Sequence, residues 1–172
     1  MNYANVEQLS NIRYTIHLGG HDHMPKIHIH RIGLEGIVVF VIGFFLNLLW
    51  ESIHAVLFYK DHAAYAASYF VRMILYVSSI DGLLLVGILY LSHLFFRRHC
   101  GLEEVGLREV IFILVSGILI AAMIELKALY LKQWVYTDMM PTIFGMGFSP
   151  LIQLAVTGAI SIFLTSKFLR RF

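Results

Sequence analysis

Three carboxylates, Glu51, Asp81 and Glu125, stand inside runs of residues that are otherwise almost wholly apolar. A carboxylate at the centre of a bilayer costs roughly 2.5–3.5 kcal/mol on insertion scales, so intramembrane acids face away from lipid and mark sites. On a helix, Asn47, Glu51 and His54 follow i, i+4, i+7 spacing and share one face, with Trp50 beside them. Ser78 precedes Asp81 by one turn. A carboxyl in apolar surroundings is a suitable general acid. In that chemistry Glu51 supplies the proton, His54 tunes it, and Asp81 and Glu125 stabilise positive charge or relay protons. The same groups could hold a divalent metal. Glu51-Ser52-Ile53-His54 has the Glu-x-x-His spacing of dimetal bundles, but those need two such pairs, which leaves a mononuclear set of Glu51, His54, Asp81 and Glu125. The plainer alternative is an interhelical hydrogen-bond network that fixes packing.

These groups need a scaffold, and composition says which. Of 172 residues, 59% are hydrophobic and 14% charged, the balance of an integral membrane protein rather than a soluble domain. Hydropathy divides residues 33–172 into four expected spans at about 34–59, 68–96, 108–131 and 150–168. An all-α four-transmembrane-helix bundle follows, with both termini on one side. Arg13, Lys26, Arg31, Arg97, Arg98, Arg108, Lys167, Arg170 and Arg171 gather on that side, against Lys60, Arg72 and Lys132 opposite. The positive-inside rule then makes both termini cytoplasmic, which fits a bacterial inner membrane. The first thirty residues are polar and lack the apolar core of a cleaved leader, so the first span is expected to direct insertion. A lone cysteine, Cys100, excludes an internal disulfide.

Residues 1–32 read as a separate cytoplasmic segment. Positions 11–18 and 26–32 alternate polar and apolar residues around Gly19-Gly20-His21-Asp22, the pattern of a short β-hairpin. Period-two geometry would put His28 and His30 on one side of the second strand, with His17 opposite, as a second possible metal set.

Helix rise fixes depth. Counted from the cytoplasmic ends of their spans, Glu51, Asp81 and Glu125 lie about 15 to 17 residues in, or roughly 22–26 Å, and Gln153 of span four comes to about 20 Å. All four should share one layer in the outer half of the membrane. Arg72, at the outer end of span two, is the expected counter-charge, while Lys127 should snorkel to the surface. After span three, Trp134, Tyr136, Met140-Pro141, Gly145, Gly147 and Ser149-Pro150 describe an ordered loop above this layer. Trp134 and Tyr136 would wall a ligand pocket or form an interfacial aromatic belt.

Two resemblances follow from these residues. Trp50-Glu51, Glu125, Trp134-x-Tyr136, Met140-Pro141 and Ser149-Pro150-x-x-Gln153 resemble a group of small bacterial integral-membrane proteins of uncharacterised function, across much of the chain. Asn47-x-x-Trp50-Glu51 resembles a five-residue stretch of integral-membrane terpene cyclases, which have more helices. That likeness implies protonation of a prenyl chain or its epoxide by an intramembrane acid, here Glu51.

The leading expectation is thus a membrane-embedded enzyme performing acid–base chemistry on a lipid or isoprenoid. Asn47, Trp50, Arg72, Ser78, Trp134, Tyr136 and Gln153 would bind the substrate. The alternatives are a cation- or proton-conducting subunit, in a homo-oligomer if four spans are too few, and a non-catalytic subunit holding haem or quinone. His54 and His93 sit near opposite membrane faces, which excludes paired haem ligation within one chain. The basic residues flank spans and form no stacked aromatic patch, so nucleic acid is not an expected partner.

Overall fold

The computed structural model describes residues 24–60, 62–96 and 105–171. Helix α1 spans Met24–Phe58, α2 Ala67–Phe96, α3 Leu107–Tyr130 and α4 Phe148–Leu169. A 3-10 turn, His62–Ala64, leads into α2, and two short strands, β1 (Thr142–Ile143) and β2 (Met146–Gly147), precede α4. Four stretches are long and apolar enough to cross a membrane: Arg31–Phe58, Ala67–Phe96, Leu107–Tyr130 and Phe148–Leu169. They lie within a few residues of the expected spans, because a run of apolar side chains long enough for a ~30 Å core has no other stable arrangement there.

The expected hairpin in residues 1–32 is corrected where it can be seen. Residues 26–32 are helical and belong to α1, which runs unbroken through the boundary expected at residue 32. Pro25 is tolerated in a first turn, where its missing N–H has no helical acceptor anyway, so nothing breaks the helix there. His28 and His30 therefore sit on helical backbone, and the period-two argument that paired them lapses. His17 and residues 11–18 lie outside the described residues.

The helices form a ring in chain order. α1 packs broadly on α2 and α3 on α4, α4 closes on α1, and the α2–α3 seam is the loosest of the four. Val39, Leu85, Leu89, Ile113, Leu154 and Ile162 fill the centre of the bundle. At the terminal end, wholly buried Glu35 pairs with His93 of α2 at 3.3 Å, while Arg31 Nε stands 3.9 Å from its other oxygen. The Arg31 guanidinium supplies an opposite charge within reach of this buried carboxyl.

Close approach of α3 to α4 depends on Gly117. A Cβ at that position would stand 2.7 Å from both N and Cα of Ala155, atoms that cannot move aside. We expect Gly117→Leu to force the two helices apart and cost roughly 1–3 kcal/mol or more, read as a lower thermal midpoint in detergent. Gly87, with open space around it, should accept alanine without loss.

The loop end is built from two connections that pair with each other. Lys60 N donates to Val135 O at 2.9 Å and Thr137 N to Phe58 O at 2.8 Å, an antiparallel bridge between Tyr59 and Tyr136. α3 stops in a Schellman arrangement: Lys132 takes φ 52°, its N–H reaches Leu129 O, and Gln133 N–H reaches Ala128 O. In the strand pair, Ile143 faces Met146, and the two-residue turn between them has positive φ at Phe144 and Gly145, the backbone a tight hairpin requires.

Candidate functional site

Glu51 from α1, Asp81 from α2, Glu125 from α3 and Gln153 from α4 all line one cavity of about 370 Å³ near the loop end. The common depth expected from helix rise therefore becomes a common wall. Gln153 is its hub. Its side-chain amide nitrogen donates to Glu51 Oε1 at 2.7 Å, to Asn47 Oδ1 at 3.1 Å and to Asp81 Oδ2 at 3.2 Å. One NH2 group carries two protons, so three acceptors from two helices share them. Thr157, one turn further along α4, donates to Asn47 Oδ1 at 3.2 Å, and Asn47 Nδ2 is held by Gly43 O at 2.9 Å. Each of these contacts fixes a rotamer.

Glu125 is held from above. The Tyr136 hydroxyl donates to Glu125 Oε2 and accepts the Gly147 N–H at 3.0 Å. A single phenol thus clasps α3 to the strand pair. The buried indole N–H of Trp134 faces the same two side chains without a hydrogen bond of good geometry. Burial first, and the Glu125 hydrogen bond second, push the Tyr136 hydroxyl up to about 12, so it is a neutral donor at physiological pH. Burial also raises Tyr59. Because the Tyr136 shift is upward, its contribution to stability is complete below the unfolded value near pH 10 and fades as pH rises towards about 12. Tyr136→Phe removes the clasp and leaves Glu125 Oε2 and the Gly147 N–H without this partner. We expect faster hydrogen exchange at Gly147 and its strand neighbours, with α1 and α2 protection unchanged.

Apart from Gln133, the remaining walls are apolar or aromatic. Ala55, Met73, Ile74, Val77, Ala121 and Leu154 line the cavity together with Tyr59, His62, Tyr65, Tyr69, Tyr76 and Trp134. Ring contacts run continuously from Trp134 to Tyr59 (5.4 Å between centroids), on to His62 (4.9 Å), Tyr65 (5.0 Å) and Tyr69 (5.1 Å). Searches of protein-family models, curated proteins and solved structures find no match to this chain.

Several expected site residues lie elsewhere. His54 is buried, but against Phe58 and Tyr59, and it lines a separate apolar groove between α1 and α4 with Trp50. Three residues beyond Glu51 is about 60° around a helix, enough to take it past Gln153. The mononuclear set therefore loses its imidazole, and among the described residues no group of three or more His, Cys, Asp or Glu is arranged to hold a metal. Arg72 is exposed and folds back to donate from Nε to Ser68 O at 3.0 Å, so it does not line the cavity as a counter-charge. Ser78 is wholly buried, with no hydrogen-bond partner for its hydroxyl, beside the cavity rather than in it. Lys127 is exposed and does not line the cavity.

Of the aromatic rim, His62, Tyr65, Tyr69 and Tyr76 are absent from the expected site. Tyr69, Met73, Tyr76, Val77 and Asp81 recur at helical spacing on α2, a stripe that leads to the acid and is readable in principle. The places of Tyr65 and His62 depend on how the connections fold.

Proposed function

We propose that the chain is a membrane-embedded acid–base enzyme acting on an isoprenoid or similarly apolar lipid. By the positive-inside rule both termini face the cytoplasm and the cavity lies in the outer half of a bacterial inner membrane. The observation that carries the reading is the convergence of three carboxyls from three helices on a cavity whose other walls, Gln133 and Gln153 apart, are apolar and aromatic.

In this scheme Glu51, oriented by Gln153, protonates a carbon–carbon double bond. The aromatic faces of Tyr59 and Trp134 hold the tertiary cation that forms. Asp81 or Glu125 then takes a proton from a neighbouring carbon, which regenerates a double bond and leaves the substrate isomerised or cyclised. No oxidant, reductant or metal is needed. The local Asn-x-x-Trp-Glu likeness to terpene cyclases supports the same role for Glu51. The resemblance to small bacterial membrane proteins adds no chemistry of its own.

The test is solvent exchange. Purified protein in vesicles of bacterial lipid extract, supplemented with polyprenyl lipids and incubated in D2O, should place deuterium on carbon in one lipid class, detected by mass spectrometry. Absence of carbon-bound deuterium from every lipid would overturn the proposal.

A further inference from the structure

Charge sets this cavity apart more sharply than shape does. Three carboxyls line it, and no lysine or arginine does among the described residues. The one charged side chain expected to balance them, Arg72, is occupied at its own helix end. Gln153 and Tyr136 satisfy single oxygens of the carboxyls but bring no charge. Apart from the neutral amide of Gln133, the other polarisable groups are ring faces, and a ring face carries the negative lobe of its quadrupole, so it too favours a cation. His62 is part of that ring run, packed between Tyr59 and Tyr65. Gln133 and apolar side chains supply the rest of the wall, and among the described residues no three acidic or imidazole groups are placed to share one ion, so a small hydrated metal ion would lose its water at high cost.

Size and access narrow the ligand further. About 370 Å³ is the volume of a small organic molecule rather than of an inorganic ion. The cavity runs to the loosest seam of the ring, where Tyr76 is 69% and Ile124 40% exposed on the face that a bilayer would cover. A ligand dissolved in the membrane can therefore reach it sideways.

We infer that this cavity selects lipophilic organic cations, molecules whose positive centre is quaternary or delocalised and wrapped in apolar groups. The inference rests on reading the cavity as a ligand site, as the acid–base proposal does, and adds the charge of what it holds. Carboxyls supply the countercharge and Tyr59, Tyr69, Tyr76 and Trp134 the ring faces. A bound cation and a proton released from the carboxyls leave the cavity's charge unchanged.

Tetraphenylphosphonium and tetraphenylborate have the same shape and opposite charge, which makes them the decisive probes. Trp50 lies on the other groove, so in Trp50→Phe the only remaining tryptophan is Trp134 on the cavity wall, and its quenching reports occupancy. In neutral phosphatidylcholine nanodiscs, the phosphonium should quench Trp134 saturably, at least tenfold more tightly than the borate. Glu125→Gln and Asp81→Asn should each weaken it at least fivefold. If those variants do not fold, displacement of the phosphonium by decyltrimethylammonium, and not by decanol, tests the same charge preference with the acids unaltered. Equal binding of the two probes, or no saturable binding, would overturn the inference. Deuterium labelling without cation selectivity would leave the acid–base reading standing alone, and selectivity without labelling would remove the chemistry and keep the site.

Discussion

Glu51→Gln is expected to lower solvent-deuterium incorporation by roughly 10²–10⁴-fold, the usual worth of a positioned general acid. The substitution is nearly isosteric, and the new amide oxygen can still accept the Gln153 proton that Glu51 Oε1 accepts at 2.7 Å. Folded yield and thermal midpoint should therefore change little. That separation of activity from stability is the point of the experiment. Undiminished labelling would strip Glu51 of its role as acid, and Asp81→Asn and Glu125→Gln would then decide which other carboxyl holds it.

Gln153→Leu should show the opposite pattern. It removes the one donor shared by Glu51, Asp81 and Asn47, leaving the two carboxyls on α1 and α2 without their link to α4, while Asn47 keeps its bond from Thr157. Buried groups stripped of a hydrogen bond cost roughly 1–3 kcal/mol each where they cannot re-pair. Thermal unfolding in detergent should fall by several degrees, and labelling should fall with it because Glu51 is no longer oriented. An unchanged midpoint would mean that the acids find water or each other, and that the hub is dispensable.

Much of this arrangement is legible in the residues alone. Spans follow from hydropathy, since a chain in hydrocarbon has few ways to satisfy its backbone. Depth follows from a fixed rise per residue, which is why Glu51, Asp81, Glu125 and Gln153 can be set on one level. Angle is harder to read. His54 and Trp50 flank Glu51 in sequence, yet a rotation of 60–100° about α1 takes them to a different groove. Arg72 departs from its expected place for a related reason: a long side chain near a helix start has its own first-turn carbonyls within reach. Alternation at residues 26–32 suits period two, yet the helix of α1 extends through it, with Pro25 in a permissive first turn. Loop-borne residues are hardest. Tyr59 and Tyr136 meet through backbone pairing between two connections, and no periodicity encodes that.

That backbone pairing also divides the molecule mechanically. The segment bearing Tyr136 is stitched to the last carbonyls of α1 by the Thr137 amide and hydroxyl, and Tyr136 ties it to the end of α3 through Glu125. α1, α3 and their cover thus behave as a frame, whereas the first turns of α2 have no such stitch among the described residues. Breathing that admits a bulky guest falls to those turns, so a spin label at Tyr76 should report wider distance distributions to α3 than one placed on α4.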